Sequence, residues 1–285
     1  MNLTFGVCTD LHFGPEALYK GKLRKLTAHA GELVTAFAKD MASRVKPDFI
    51  VNLGDDIEDE DHDADLTRYG ECLAALETAN IDLVHVAGNH DTIHLSTGEV
   101  LSAWRRSSAW LGDRLPSDRL YYAFERGGIR FIVLHSVESP DRSISIHEAQ
   151  QAWLAEELDR TSLPVIVLVH HSLADQNLAG SRWFEGRAHV CLVQERKEIR
   201  ALLERHHARS ERGVLAVFNG HLHWNHVDVI RGIPYVTVQS MIENLDEDAP
   251  GRPARAFAVV RVSPKRVNVD VGGEEPARYQ FTPKE

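Results

Sequence analysis

The stretch Phe49-Ile50-Val51-Asn52-Leu53-Gly54-Asp55 constrains the fold of this chain more than any other: an apolar, β-rich run without polar alternation that stops at a glycine and a carboxylate. Such a run suits a strand buried on both faces, which needs helices or a second sheet to cover it. Ligands of open α/β sheets collect outside the carboxyl ends of the strands, so Asp55 sits where a crevice forms. An aspartate after a strand also serves as a turn or helix cap. The other strand ends decide between the two readings.

Leu3 to Thr9 reads as the first strand and runs into Asp10-Leu11-His12, whose two ligand-type side chains point to the same side of an extended chain. Beyond Gly14-Pro15, Lys22 to Arg44 carries Leu23, Leu26, Ala30, Leu33, Val34 and Phe37 at helical spacing, and Pro47 ends it. The acidic run Asp56 to Asp63 is expected as a loop and helix N-terminus, followed by a helix over Ala64 to Thr78 with Leu66, Tyr69, Leu73 and Leu76 inward. Leu83 to Ala87 is a strand ending in Gly88-Asn89-His90-Asp91; His85, between valines, is expected to pack. Trp104 to Leu115 reads as helix and loop, Leu120 to Phe124 and Ile129 to Leu134 as a hairpin turned by Gly127-Gly128, and His147 to Leu158 as a helix. Val165 to Val169 is a strand ending in His170-His171, and the long polar loop Ser172 to Val190, with Trp183 and Phe184, is expected as a lid. Gln194 to Arg209 reads as a helix and Val214 to Phe218 as a strand ending in Asn219-Gly220-His221-Leu222-His223. Val227 to Ile230, Pro234 to Gln239, Ala256 to Val262 and Val267 to Val271 read as successive antiparallel strands, a strand-rich part over 226–271. No linker interrupts the chain, so residues 1–285 are expected as one domain.

Composition narrows the partners. A formal charge of −10 disfavours a nucleic-acid polymer, nucleases included, because such binding draws on clustered Lys and Arg. No apolar run is long enough to span a bilayer, and Met1 to Phe5 enters a strand with no secretory pattern ahead of it. The cysteines Cys8, Cys72 and Cys191 are far apart without CxxC spacing, which fits reduced thiols and a cytoplasmic location. Cys8 and Cys72 are expected as small core residues. A homo-oligomer stays open.

The strand ends together supply Asp10, His12, Asp55, Asn89, His90, His170, His221 and His223, oxygen and imidazole donors with no thiolate. Sets of this kind suit Mn, Fe, Co or catalytic Zn, and seven of these residues make a two-metal site sharing Asp55. Two divalent ions, two carboxylates and a shared hydroxide leave a net positive centre, which attracts a small phosphate ester although the protein is anionic.

In the ordered blocks D-x-H, G-D, G-N-H, a lone H and G-H-x-H, spanning residues 10 to 223, the chain resembles the calcineurin-like metallophosphoesterases. The resemblance implies an α/β fold of four layers, an αββα sandwich of two mixed sheets flanked by helices, which the alternating first half and strand-rich tail agree with. It implies one ion held by Asp10, His12, Asp55 and His223 and another by Asp55, Asn89, His170 and His221, divalent or trivalent transition metals, with His90 protonating the leaving oxygen. Glu58 holds the place where the family often has an aspartate orienting that histidine, with Asp59 next to it, and Ser172 replaces the proline that often follows the histidine pair in the cyclic-nucleotide phosphodiesterase branch. The catalytic group is thus expected as His90, Asp55 and Glu58, with Asn89, His90, His171, Trp183 and Trp224 at the substrate. In this reading a hydroxide shared by two metals attacks phosphorus in line with the leaving group. A small diester, of cyclic-nucleotide or glycerophosphodiester type, is favoured because the acidic run after Asp55 repels a dianion; phosphomonoester or nucleotide diphosphate hydrolysis and a non-catalytic protein-binding scaffold are the alternatives.

Overall fold

The computed structural model describes residues 2–284. Leu3–Cys8, Phe49–Asn52 and Leu83–His85 lie side by side and parallel, with Cys8 opposite Asn52 and Asn52 opposite His85. Their registered ends bring the turns that follow to one rim. The connections carry helix α1 (Ala30–Asp40) and helix α2 (His62–Glu77), which pack on each other. A second sheet holds Ile129–Val133, Val165–Leu168, Val214–Asn219 and Ile233–Thr237 as parallel neighbours, with Val133 opposite Leu168 and Leu168 opposite Phe218. Hairpin strands Tyr122–Arg126 and His226–Ile230 close its two edges.

Period-two alternation divides this second sheet between two cores. Phe131, Val133, Ile166 and Leu168 face the first sheet, whereas Ile132, Val165 and Val167 pack with Leu154, Leu158, Ile199 and Leu203. The latter come from α4 (Glu148–Arg160) and α5 (Arg196–Arg209). Between the sheets, Phe5 stacks on Phe49 at 5.2 Å and meets Phe131 and Phe218 edge-on at 5.8 and 5.9 Å. Each such side chain contributes roughly 1.5–3 kcal/mol by burial. The layers therefore run helix, sheet, sheet, helix, as the family resemblance implies, and among the described residues no helix is long and apolar enough to cross a membrane.

Several local expectations change. The periodic run from Lys22 begins as a hairpin: Lys22–Leu23 pairs with Leu18–Tyr19, and the Leu26 amide donates to Ile242. Leu23 and Leu26 are buried, but the backbone at Leu26 is held from another loop, so helix starts only after the single turn Thr27–His29. Leu66 is exposed because the first turn of α2 buries Asp65 instead, whose carboxylate takes the Glu60 amide and His94. The helix before the central hairpin begins earlier than expected, as α3 (Thr97–Ser107), closed by a Ser96/Glu99 capping box. The tail is not a run of consecutive antiparallel strands. Ile233–Thr237 is parallel to Val214–Asn219, and Phe257–Val262 crosses to the first sheet, antiparallel to Leu3–Cys8. A strand buried on both faces needs a partner on each side, and alternation alone does not tell which sheet supplies it. Val267–Gly272 and an unexpected last strand, Ala277–Phe281, complete that edge.

His85 packs as expected, stacked on Trp104 at 5.7 Å, and burial pulls it down to about 3. Cys8, Cys72 and Cys191 are buried free thiols.

Candidate metal centre

The turns leaving both sheets meet at one rim, and their backbone is unusual. Asp10, His12, Asp55, His221 and His223 all have positive φ, between 46° and 62°. Left-handed non-glycine residues cost of order 1–3 kcal/mol each and persist only where their surroundings over-determine them. Here the turns brace one another. Asp10 donates to Gly54 at 2.8 Å, His12 to Asp55 at 3.0 Å, and the His221 amide to the Asp10 carboxylate at 2.9 Å. Asp91 accepts the amides of Asp55, Asp56 and Gly88, tying two strand ends together. Gly220 packs so closely that a Cβ there would lie 2.6 Å from Asp10 Oδ2, and at Gly88 it would clash with the Asp55 carboxylate.

The side chains converge. Asp10, His12 and His223 bring one potential ligand atom each to within 4.8 Å of one another, as do Asp10, Asp55 and His170. His170 Nε2 is 3.2 Å from Asp55 Oδ2, His223 Nε2 is 3.3 Å from Asp10 Oδ1, and His12 Nε2 is 3.2 Å from His223 Nε2. The opposite ring nitrogens are all engaged by acceptors. His12 Nδ1 meets Glu58 at 2.9 Å, His223 Nδ1 meets Glu243 at 2.9 Å, His170 Nδ1 donates to the Leu53 carbonyl at 2.8 Å, and His221 Nε2 to the Val190 carbonyl at 3.2 Å. Each imidazole therefore keeps its second nitrogen for another ligand. Asn89 Oδ1 and the Nε2 atoms of His170 and His171 are buried without a hydrogen-bond partner.

The electrostatics call for cations. Burial pulls His170 and His223 down, but the carboxylates of Asp55 and Asp10 outweigh it and push them up to about 10 and about 9. Burial raises Asp10, yet His223 holds it down at about 2. His12, desolvated and beside Lys25, falls to about 4. Buried carboxylates with imidazoles between them, and orphaned oxygen and nitrogen donors, fit two metal ions of borderline character.

Not every expected residue lies where the sequence suggests. Glu58 does not orient His90; it binds Lys25 at 2.7 Å and His12. Asp59, one residue further along the chain, takes the His90 Nδ1 hydrogen bond. His171 is fully buried behind the rim, held by Ser136 and packed against His170 and His221, so it is not a substrate contact. Trp224 is not one either: its indole donates to Gln176 and it stacks on His226, outside the cavity.

The cavity over the rim holds about 280 Å³. His12, Asp55, Asn89, His90, His221 and His223 form its floor, and Trp183, Phe184, Arg187 and Val190 from the long loop form a wall. Phe184 stacks on His221 at 4.7 Å, and Trp183 donates to Glu243, which also holds His223. The other end of that loop is interior: Ser172, Leu173 and Ala174 are buried. Lys25, Arg142 and Arg187 also line the cavity. Lys25, Glu243, Arg142 and Arg187 lie outside every strand-end motif, so no local pattern marks them.

Two facing mixed sheets with a carboxylate and imidazole cluster at their shared rim define a dinuclear metallohydrolase class of site. The calcineurin-like phosphoesterase profile matches residues 3–225, and the chain belongs to that family. Among curated proteins it is similar to serine/threonine-protein phosphatase CPPED1 of Bos taurus, 26% identical over 199 residues covering 67% of this chain and 57% of the relative. The Homo sapiens protein of that name is 38% identical over 88 residues, covering 30% of this chain and 25% of the relative. The chain thus spans no more than 57% of these relatives. Among solved structures, a dimetal phosphatase from Danio rerio superposes with a TM-score of 0.75 at 18% identity, covering 98% of each chain. GAP50, the anchor in the inner membrane complex of Plasmodium, superposes with a TM-score of 0.61 at 13% identity, covering 100% of this chain and 90% of the other. At these identities the structural likeness speaks to fold alone.

Proposed function

We propose that the chain is a two-metal phosphoesterase that hydrolyses phosphate monoesters. Asp10, His12, Asp55 and His223 would hold one ion and Asp55, Asn89, His170 and His221 the other. The observation that carries this reading is the shared habit of the four histidines, each committing one ring nitrogen to an outward acceptor and leaving the other free; metal-bound imidazoles are built this way. Bound ions of this kind lower the pKa of a water and polarise phosphoryl oxygens.

The chain's own groups do the rest. His90, whose Nδ1 is held by Asp59, keeps Nε2 to carry a proton to the leaving oxygen. Asp59 fixes the ring and its tautomer. Arg187 rests on the Tyr19 hydroxyl and the Trp183 carbonyl and makes no ion pair with a carboxylate among the described residues, which leaves its charge for the phosphate. Trp183 and Phe184 shield the floor from water.

The argument from the acidic run does not carry over to the cavity. Of its members only Glu58 lines the cavity, whereas Asp56 is buried behind it and Asp61 caps α2. Arg187, the lining cation paired with no carboxylate among the described residues, favours the doubly charged monoester, and the CPPED1 relatives carry the name phosphatase. Steady-state kinetics of the Mn²⁺-loaded protein on p-nitrophenyl phosphate and bis(p-nitrophenyl) phosphate test this. We expect kcat/KM to favour the monoester by at least about tenfold, equivalent to about 1.4 kcal/mol. A preference for the diester would restore the phosphodiesterase reading, and no turnover of either would favour a non-catalytic scaffold.

A further inference from the structure

Asn89 is an amide, and an amide ligates a metal through its oxygen only; something must therefore choose which end faces the ions. The choice comes from the other sheet. Between Ile129–Val133 and α4 the chain makes a small hairpin, Val137–Glu138 against Ile144–Ser145, whose tip is closed by Ser139 to Ser143 at 2.9 Å. Its far strand is anchored: Ser145 Oγ and the Ile146 amide both donate to Glu195, at 2.9 and 3.0 Å. The near strand delivers Glu138 across the rim, where its Oε2 accepts from Asn89 Nδ2 at 3.0 Å. Its other oxygen meets Arg142 Nε at 3.2 Å, so the carboxylate is held at both ends.

A carboxylate accepts hydrogen bonds and does not donate them, so Glu138 can face only the NH₂ end of the amide. The opposite end, Oδ1, is buried and has no hydrogen-bond partner. We propose that Glu138 is a positioning residue: by holding Asn89 Nδ2 it turns Oδ1 to the second ion and sets the affinity of that site. This rests on the two-metal reading above. Partners outside the ligand sphere are typically worth about 10- to 100-fold in metal affinity. Replacing Glu138 frees the amide to rotate or flip, which leaves a donor where the ion needs an acceptor. The first ion, held without Asn89, is untouched.

The test is calorimetric titration of chelator-stripped protein with Mn²⁺, which resolves the two affinities without reference to activity. Glu138→Ala should weaken one of them by about 10- to 100-fold and leave the other at the wild-type value. Glu138→Gln presents a side-chain carbonyl to the same NH₂ group and should restore most of the loss. Glu138→Asp, a methylene too short, should resemble the alanine variant. Melting temperatures in EDTA separate this from a merely structural role, which would lower stability in all three variants without selecting one affinity. Two wild-type affinities in Glu138→Ala would overturn the proposal, as would equal weakening of both or a Gln variant as weak as Ala. Wild-type protein that binds no Mn²⁺ would overturn the two-metal reading itself, and the proposal with it.

Discussion

Gly220→Ala is a one-methyl change whose consequences follow from geometry. The added Cβ would lie 2.6 Å from Asp10 Oδ2, about 0.8 Å short of the 3.4 Å at which ordinary contact begins, and would clash more severely with Thr9 Oγ1. Thr9 cannot simply rotate away at no cost, since its hydroxyl donates to Asp10 Oδ2 at 2.6 Å. Asp10 cannot withdraw freely either, because the His221 amide donates to both carboxylate oxygens and Ser240 holds its carbonyl at 2.7 Å. Overpacking of this kind costs typically about 1–3 kcal/mol, which for a chain of this size lowers Tm by roughly 2–5 °C. The displaced carboxylate matters more, since misplacement by about 1 Å can cost about 10²-fold in rate. Differential scanning fluorimetry and Mn²⁺ titration of Gly220→Ala read the two effects separately. Thr9→Ala/Gly220→Ala removes the hydroxyl clash but not the one with Asp10, so it should regain part of the lost Tm and not metal affinity. Wild-type metal affinity in Gly220→Ala would show that Asp10 is not a ligand or that the turn tolerates a side chain.

Asp59→Ala should lower kcat by roughly 10²-fold, within the span typical of general-acid effects, with metal content intact. Glu58→Ala should do the reverse, weakening metal retention about 10- to 100-fold through His12; atomic absorption after dialysis distinguishes the two, and loss of metal in Asp59→Ala would refute the assignment. His90→Ala should cost about 10²- to 10⁴-fold on alkyl phosphates and much less on nitrophenyl phosphate, whose leaving group needs no proton; equal losses would contradict its role as acid. Arg187→Ala should raise KM for the monoester more than it lowers kcat, because its contacts act through binding, and an unchanged KM would remove it from the substrate site.

The strand ends were legible because burial writes itself into the sequence: Phe49 to Val51 and Val165 to Leu168 are uniformly apolar, and each runs into ligand-type residues at the shared rim. The layer order came with the family resemblance, and the alternating first half and strand-rich tail agreed with it. What the sequence hid depends on long-range geometry. Glu243 reaches His223 from a loop whose course is set by the crossing of the chain back to the first sheet, and Glu138 reaches Asn89 from a hairpin on the opposite sheet. The choice of Asp59 over Glu58 turns on one residue of loop register. The tryptophans show the same limit, since Trp183 lines the cavity and Trp224 does not, although both are aromatics near the motifs.

The central claim is that the facing strand ends hold two metal ions sharing Asp55. Crystals of the Mn²⁺-loaded protein, measured at the manganese absorption edge, test it most directly. The account predicts two anomalous peaks bridged by Asp55, one among Asp10, His12 and His223 and one among Asn89, His170 and His221. A single peak, or ions bound away from Asp55, would contradict it.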